Sequence, residues 1–473
     1  MENIYCEHLI IGSGPGASVI AESLSQKSND IYLIERGGKY NLKKIGDGIR
    51  LQYTFGGIFP FFSKSIISYG EASTYGGGSK INGGLIWRTP EFILKEWLDK
   101  GILDKEFLKT IVSKFSKIEK KLEVSYHRQH DNFDSKILSN AAEDLNWKIV
   151  DVPRAGGSDC NNLNRCPIGC PDKNKKSVDL NYLKDAEKNG LNIKLDTSLD
   201  KLVKKGDTIK YAIVSEGEKK IRIFAKKFWL CAGNIHTNHI LRKNNLIPKK
   251  FNKFYFHINF KFIANFDSDI RATKSTMFTK QVQEFINENI LIMGTNHTKN
   301  LAATSLSDFD NDIINDVVGN INNHGSYVCQ VRPQRSYGII NSLFGQPFVR
   351  YVHLDKDSEL IKKSFFYTCK LLFNAGAKKI YLPLKFSKPI TSLSDIDCIK
   401  IKLKDLKMVS VHSMGSCPIS NDHSKKVVNY DGRLDSIKNL YIADSSLIPS
   451  NIGESPQGTV MAFAHSIVEN YIK

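Results

Sequence analysis

Apolar residues near the start of the chain follow two different repeats. Within residues 7–17 (EHLIIGSGPGA), a short apolar run is followed by closely spaced glycines, and then come apolar residues at helical spacing, namely Val19, Ile20 and Leu24. A second apolar run follows at residues 31–34. A strand, a turn, a helix and a strand in this order predict the beginning of an α/β fold with a parallel sheet.

Three later segments have equally clear periodicity. Residues 102–124 repeat apolar side chains at helical spacing and predict an amphipathic helix with one buried face. The segment FYFHINFKFIANF, residues 254–266, alternates in the manner of a half-buried strand. Residues 408–411 also alternate, and they predict a strand that ends beside His412. These elements indicate a mixed α/β protein.

The glycine-rich turn predicts a dinucleotide site. Gly12, Gly14 and Gly16 permit a tight turn and a close approach to a pyrophosphate, and the following helix presents free N–H groups. Ala17 occupies the position where this fingerprint accepts glycine or alanine. Glu35 ends the second strand about 20 residues further on, where a carboxylate accepts the ribose hydroxyls. The order of these features indicates a Rossmann-like nucleotide-binding domain.

Composition narrows the class of protein. The 473 residues are 41% hydrophobic and 25% charged, which is ordinary for a globular protein, and the length predicts two domains. The net charge is +18, but the lysines are spread among acidic residues without a nucleic-acid-binding motif, so we expect a solvated surface. Attraction to anionic membranes is expected to be peripheral at most.

Cysteine usage and the N-terminus bear on location. No apolar run reaches the roughly 18 residues that a membrane span requires. The first strand begins too early for a secretion signal, and nine cysteines, an odd number, suggest reduced thiols. We therefore predict a cytoplasmic protein, with peripheral membrane association or export with a partner as alternatives.

Several motifs resemble one known family. They are YGGGSKINGGLIWR (75–88), KKFWLCAGNIHTNHIL (226–241), VSVHSMGSCPIS (409–420), VVNYDGRLDSIKNLYIADSSLIPS (427–450) and GESPQGTVMAFAHSIVENYI (453–472). In these motifs the chain resembles the glucose-methanol-choline (GMC) flavoprotein oxidoreductases. It is most similar to the branch with a Cys-rich loop, which includes long-chain alcohol and sterol oxidases and bacterial sugar and gluconate dehydrogenases. The resemblance implies FAD as the cofactor.

The resemblance also implies a domain organisation. A Rossmann-like FAD-binding domain is expected to interleave with an α+β substrate domain built on an antiparallel sheet. The FAD-binding domain would comprise residues 1–90, 151–255 and 405–473. The substrate-binding domain would comprise residues 91–150 and 256–404.

By the same resemblance, FAD contacts residues from distant parts of the chain. In the second motif, glycines pack on the pyrophosphate and flavin, and small polar side chains contact the ring system. Asp444 matches the acidic residue beside the ribityl chain, and the backbone that opens the last helix faces the flavin's pyrimidine oxygens. The implied contacts beyond the first motif are Gly77, Gly78, Ser79, Asn82, Ala232, Gly233, Asp444, Gln457 and Thr459.

Two residues are implied to be catalytic. His412 matches the family's catalytic histidine, and an imidazole with an unperturbed pKa near 6.5 can take a hydroxyl proton at neutral pH. Ser455 stands where the family usually carries His or Asn before proline. A serine hydroxyl can donate or accept a hydrogen bond but cannot act as a base at neutral pH. Ser455 either leaves room for a bulkier substrate or marks weak or altered activity.

A short loop contains three closely spaced cysteines, Cys160, Cys166 and Cys170. In some bacterial dehydrogenases of this branch, cysteines at this spacing bind a three-iron cluster that carries electrons from FAD to a cytochrome subunit. Three thiolates are compatible with such a cluster but not with a four-cysteine zinc ribbon. The alternatives are a three-iron site, or a family loop packed near the flavin without metal.

The implied activity is FAD-dependent oxidation of a CH–OH group by hydride transfer to flavin N5, with His412 as the base. The substrate would be a small alcohol or sugar, and sugars are favoured over long aliphatic alcohols. Electrons would pass to a carrier protein or to oxygen. Two alternatives remain: a lyase with structural FAD, and a non-catalytic flavin-binding subunit.

Overall fold

The molecule is built on two large sheets with helices packed against them. The computed structural model describes residues 1–40, 45–128, 133–295, 298–420 and 426–473. The strands, in chain order, are β1 (Glu2–Ile11), β2 (Ile31–Ile34), β3 (Phe59–Phe62), β4 (Ile67–Tyr69), β5 (Val124–Ser125), β6 (Ile149–Asp151), β7 (Arg154–Ala155), β8 (Asn192–Lys194), β9 (Thr197–Lys205), β10 (Thr208–Glu216), β11 (Lys219–Leu230), β12 (Lys253–Phe256), β13 (Ile258–Asn265), β14 (Lys280–Val282), β15 (Ile290–Gly294), β16 (His324–Val331), β17 (Tyr337–Leu343), β18 (Gln346–Val352), β19 (Lys379–Tyr381), β20 (Met408–Ser410), β21 (Ser413–Met414) and β22 (Leu440–Ile442).

The α-helices are α1 (Pro15–Ser25), α2 (Ile45–Gln52), α3 (Gly78–Ile81), α4 (Glu91–Asp99), α5 (Lys105–Lys121), α6 (Phe133–Asp144), α7 (Tyr182–Lys188), α8 (Asn234–Lys243), α9 (Lys299–Ser305), α10 (Asn311–Gly319), α11 (Lys356–Asn374), α12 (Ser394–Asp397) and α13 (Gln457–Ile472). Short 3-10 turns connect several of these elements. Within the described ranges, no helix has both the length and the apolar character needed to cross a bilayer.

The first sheet confirms the predicted Rossmann-like fold. Strands β8, β2, β1 and β11 are parallel neighbours in that order, and β22 pairs parallel with β11. Strands β10 and β9 extend the sheet as an antiparallel meander. Leu9, Ile10 and Ile11 are all buried, because helices cover both faces of a parallel sheet of this kind.

The turn between β1 and α1, residues 12–16, needs its glycines for steric reasons. A Cβ atom on Gly16 would lie 1.8 Å from the carbonyl oxygen of Ala443, just after β22. Gly12 has a φ of +103°, and a Cβ there would lie 2.3 Å from the carbonyl oxygen of Cys231. Glycine therefore lets α1 begin in direct contact with the ends of two other strands.

Helix α5 confirms the amphipathic helix predicted for residues 102–124, with slightly shorter bounds. The Asp104 carboxylate caps it by accepting a hydrogen bond of 2.8 Å from the N–H of Phe107. Its apolar face is buried, including Phe107, Ile111 and Phe115, and it packs against α13. Burial of this face, rather than intrinsic propensity, holds the helix in place.

The second sheet is largely antiparallel and contains the predicted strand of residues 254–266. That segment forms β12 and β13, which are separated at His257. Strand β13 pairs with β16 over its full length, and the sheet runs on through β15 and β14 to β6. Phe256 and Phe260 are buried in the second hydrophobic core, so the residues alternating with them face the opposite side.

The packing crosses the expected domain boundaries at several places. Strands β3 and β4, from the first expected FAD-binding segment, pair within the second sheet. Helices α4 and α5, from the expected substrate domain, bury their apolar residues in the core of the first sheet. The division of the chain into two domains stays a prediction.

Candidate active site

A cavity of about 630 Å³ lies between the two sheets. It runs from the turn after β1, past the N-terminus of α13, to the second sheet at β13, β16 and β20. The sequence-predicted residues that line it are Gly12, Gly14, Gly16, Glu35, Gly77, Gly78, Asn82, Ala232, Gly233, His412, Asp444, Ser455 and Gln457. The fold thus brings the expected cofactor residues and the expected catalytic residues to one cavity.

The turn at residues 12–16 has the geometry of an anion site. Gly14 directly precedes α1, and no side chain caps the helix there. A Cβ on Gly14 would meet nothing within 4 Å, and the same holds for Gly78 at the start of α3. These backbone segments therefore face open space, and their N–H groups and the N-terminus of α1 favour a negatively charged ligand.

The Glu35 carboxylate is buried, and its own chain already holds it in place. It accepts hydrogen bonds from the Ser13 N–H at 3.1 Å, from the Ser13 hydroxyl at 2.7 Å and from the Gly37 N–H at 2.9 Å. Burial raises its pKa, and these bonds oppose that rise. The carboxylate is thus oriented before any ligand is present.

Asp444 has the same character at the end of β22. Its carboxylate accepts hydrogen bonds from the Gly233 N–H at 2.9 Å, from the Thr237 hydroxyl at 2.5 Å and from the Ser446 N–H at 2.8 Å. Burial raises its pKa, and the same partners act against that rise. The carboxylate joins the turn before α8 to the end of β22, and it still borders the cavity.

Asn82 and Gln457 are joined across the cavity wall. The Asn82 amide donates to the Gln457 side-chain oxygen at 2.5 Å, and its own oxygen accepts from the Gly84 N–H at 3.0 Å. Gln457 is the first residue of α13, so this contact places the positive end of the α13 dipole at the cavity.

Three predicted cofactor residues do not face the cavity. Ala17 is fully buried inside α1. The Ser79 hydroxyl donates to the Gly76 carbonyl at 2.7 Å, and the Thr459 hydroxyl contacts that of Thr89 at 2.9 Å. These side chains support the backbone behind the cavity wall instead of lining the cavity.

His412 lies two residues beyond β20, as the alternation of residues 408–411 predicts. Its Nδ1 is 2.9 Å from Nδ1 of His257, whose Nε2 accepts a hydrogen bond of 3.0 Å from the Gly453 N–H. Burial lowers the pKa of His412 to about 4, so the neutral ring dominates at neutral pH. Nε2 is the ring nitrogen of His412 that is left for a ligand in the cavity.

Ser455 lines the cavity close to a residue that the sequence did not single out, Glu454. The Glu454 carboxyl is buried, and it accepts from the Gln281 amide at 2.5 Å and from the Gln283 amide at 3.3 Å. Burial raises its pKa to about 8, so the neutral acid is the main form at pH 7. No local sequence pattern signals this, because the amides come from a different strand.

Polar side chains of the second sheet also line the cavity, and the sequence motifs did not point to them. We call Asn259 and Lys261 of β13 with Gln330 of β16 the sheet wall; all three line the cavity. Asn259 lies directly opposite Gln330 in the β13–β16 pair. A signal was present in the sequence, because His257, Asn259 and Lys261 alternate with apolar residues and therefore share one face.

The three clustered cysteines do not form a metal site. Cys166 is buried, while Cys160 and Cys170 are half-buried. In the described part of the chain, no group of three or more His, Cys, Asp or Glu residues is placed to hold a metal ion. The half-buried Lys175 ammonium donates to the carbonyls of Asn82 at 2.9 Å and Cys166 at 3.1 Å. The three-iron alternative is therefore not supported, and the loop packs behind the cavity wall near Asn82.

The fold and cavity define a class, a Rossmann-type oxidoreductase that holds a dinucleotide against an antiparallel sheet. Family models described as GMC oxidoreductase match residues 9–251 and 345–464. The chain therefore belongs to the GMC oxidoreductase family, whose members are FAD-dependent alcohol or sugar oxidases and dehydrogenases. The predicted family, and FAD as its cofactor, are confirmed.

Relatives with named activities are distant. The chain is 26% identical to an uncharacterized GMC-type oxidoreductase of Sinorhizobium fredii, over 98% of this chain and 93% of that protein. It is 22% identical to a long-chain-alcohol oxidase of Arabidopsis thaliana, over 99% of this chain and 69% of that one. Among solved structures, pyridoxine 4-oxidase from Mesorbium loti has a TM-score of 0.77 at 13% identity and covers 99% of both chains. A formate oxidase variant from Aspergillus oryzae RIB40 has a TM-score of 0.75 at 12% identity, covering 99% and 98%. These structures establish the shared fold.

Proposed function

We propose that this protein oxidises the CH–OH group of a small polar alcohol or sugar, with FAD bound in the cavity and His412 handling the hydroxyl proton. The observation that carries this proposal is the position of His412. Its imidazole lines the same cavity as the turn at residues 12–16, and its Nδ1 is held by His257. A proton acceptor and a dinucleotide cradle therefore share one space.

The residues present fit FAD. The backbone at Gly14 and Gly78 faces open space, which suits a pyrophosphate, and Glu35 is oriented for ribose hydroxyls. The N-terminus of α13 at Gln457 suits the pyrimidine end of the ring system. When bound, FAD supplies the acceptor for the hydride that leaves the carbinol carbon.

The protein's part is to orient the substrate and to accept its hydroxyl proton. Burial keeps His412 neutral at neutral pH, which a base requires. With FAD present to take the hydride, the hydroxyl proton of the substrate would pass to Nε2 of His412, once that nitrogen has given up its own proton. The contact with His257 holds the imidazole in one orientation during this transfer.

The hydrogen bonds around His257 determine where the ring protons rest. Because Nε2 of His257 accepts from the Gly453 N–H, the proton of neutral His257 lies on Nδ1 and is donated to Nδ1 of His412. The proton of neutral His412 then rests on Nε2. For Nε2 of His412 to accept a proton, the proton of each ring must first move to the other nitrogen of that ring. Nε2 of His257 then carries a proton and loses the hydrogen bond from the Gly453 N–H, at a cost of about 1–3 kcal/mol.

The sheet wall bears on the substrate class. The amides of Asn259 and Gln330 in the sheet wall support a polar substrate such as a sugar over a long aliphatic chain. Oxygen and a carrier protein are the two candidate acceptors, and the rate at which air reoxidises the reduced flavin distinguishes them. A cytoplasmic location stays a prediction from the sequence.

The test is anaerobic mixing of the purified FAD-containing protein with a panel of alcohols and sugars. We expect a substrate to bleach the flavin absorbance, and His412→Ala to slow this step by about 10²- to 10⁴-fold. His412→Asn keeps a hydrogen-bond donor but no base, so it should be equally slow. His353→Ala, outside the cavity, is the matched control and should leave the rate unchanged.

Three outcomes would contradict the proposal. Turnover of a compound while the flavin stays oxidised would indicate a lyase with structural FAD. Bleaching at an unchanged rate in His412→Ala would remove the role given to this residue. Full activity in His412→Asn together with loss in His412→Ala would show that His412 donates a hydrogen bond instead of accepting a proton.

A further inference from the structure

The Lys261 ammonium is a half-buried charge at the cavity. In the described part of the chain, its side chain makes no hydrogen bond or ion pair, although it lines the cavity and is half-buried. Desolvation lowers its pKa to about 8 and is the only cause of the shift, so no nearby carboxylate compensates the charge. The ammonium remains the main form at neutral pH.

Three other charged groups at the cavity, Arg36, Glu71 and Asp200, have partners. Arg36 lies 3.6 Å from Glu71, whose carboxylate also contacts His236 at 2.9 Å. Asp200 lies 2.5 Å from the ammonium of Lys220. A charge that is taken out of water without a partner is unfavourable, so Lys261 stands out as a group whose counter-charge must come from a ligand.

The position of Lys261 separates it from the reacting centre. Strand β13 carries Asn259 and Lys261 on one face, and His257, which holds His412, comes directly before this strand. Four residues of extended chain between His257 and Lys261 correspond to about 13 Å along the strand. A ligand that reaches both His412 and Lys261 therefore needs several atoms between its two recognised groups.

We propose that Lys261 binds an anionic group of the substrate, a carboxylate or a phosphate, while the carbinol to be oxidised lies at His412. The substrate class is then a hydroxylated acid or acidic sugar. This inference rests on the proposed function for the reacting end. An apolar chain at this position would leave the ammonium unpaired, whereas an anion gains a charge-assisted hydrogen bond.

Matched pairs of probe compounds test this binding without any turnover. Gluconate against sorbitol examines the carboxylate, and glucose 6-phosphate against glucose examines the phosphate. The dissociation constants are measured by calorimetry on the oxidised FAD-containing protein, kept anaerobic. In the wild type we expect the acidic member of at least one pair to bind about 10- to 100-fold more tightly.

Two variants test whether Lys261 causes the preference for the acidic compound. Lys261→Met keeps the length of the side chain but removes the charge. In this variant the acidic and neutral members of a pair should bind with about equal affinity. Lys261→Arg should retain most of the preference, which shows that the variant site still folds. Lys210→Met, an exposed lysine on strand β10, is the control and should behave like the wild type.

The inference fails if neither acidic compound is preferred by the wild type, or if Lys261→Met keeps the preference. It also fails if Lys261→Met loses FAD while Lys261→Arg retains it, because the ammonium would then pair with the cofactor. The outcome is separable from the proposed function. An anion preference that depends on Lys261, with no flavin bleaching by any compound, would support this site and contradict the proposed oxidation.

Discussion

The two ends of the cavity differ in how far their polar groups are already satisfied by the protein. At the dinucleotide end, the carboxylates of Glu35 and Asp444 each accept three hydrogen bonds from their own chain. At the substrate end, the Lys261 ammonium has no partner among the described residues, and Nε2 is the ring nitrogen of His412 that His257 does not contact.

This difference matches two kinds of recognition. A cofactor that stays bound is best held by groups whose orientation is set before binding, because little ordering entropy is then lost. A substrate must be released after each turnover, and unpaired groups favour only the ligand that supplies the missing charge. One end of the cavity is therefore preorganised, while selectivity is located at the other end.

Removing a preorganised group should have the largest effect. Asp444→Ala leaves buried donors at Gly233, Thr237 and Ser446 without an acceptor, so we expect a loss of about 3 kcal/mol in the free energy of unfolding. FAD affinity should fall at least about tenfold, since the turn that ends in Gly233 lines the cavity. Denaturant unfolding and FAD titration measure the two effects.

The control for this variant is Asp267→Ala. Asp267 forms an exposed ion pair with Lys378 at 3.3 Å, and such pairs contribute about 0–1 kcal/mol. If Asp444→Ala were as stable as this control and kept its FAD, the dinucleotide end would not be preorganised in the way described.

A change at Ser455 should have a smaller effect. The hydroxyl borders the cavity close to Glu454, and one neutral hydrogen bond to a substrate oxygen corresponds to about a 2- to 10-fold change. We expect Ser455→Ala to lower kcat/KM by that factor and to leave FAD affinity unchanged. A loss as large as that of His412→Ala would mean that Ser455 is part of the proton transfer itself.

The pH dependence of flavin reduction should be the smallest effect. Burial lowers the pKa of His412 to about 4, so the neutral base is already present above that pH. Between pH 5 and 7 the reduction rate should change by less than about twofold, whereas an imidazole with the ordinary pKa of 6.5 would give about 25-fold. Lys261 and Glu454, each with a pKa of about 8, titrate above this window. A rising limb centred near pH 6.5 would contradict the burial of His412.

Much of the fold could be predicted because its signals are local. Helix α5 follows from apolar residues at helical spacing, and Gly12 and Gly16 mark a turn that other residues cannot adopt. The position of His412 after β20 follows from alternation. The direction in which an individual side chain points could not be predicted from these local signals. The hydroxyls of Ser79 and Thr459, for example, hold the backbone behind the cavity.

The sequence by itself determined the nucleotide-binding frame, the family and the position of the histidine, because strand, turn and helix are set by neighbours along the chain. Only the tertiary structure decided which polar groups are paired. Glu454 meets the amides of Gln281 and Gln283 across more than 170 residues, while Lys261 meets no counter-charge at all among the described residues. Pairing depends on distances between strands distant in sequence, and those distances arise only when the two sheets pack together.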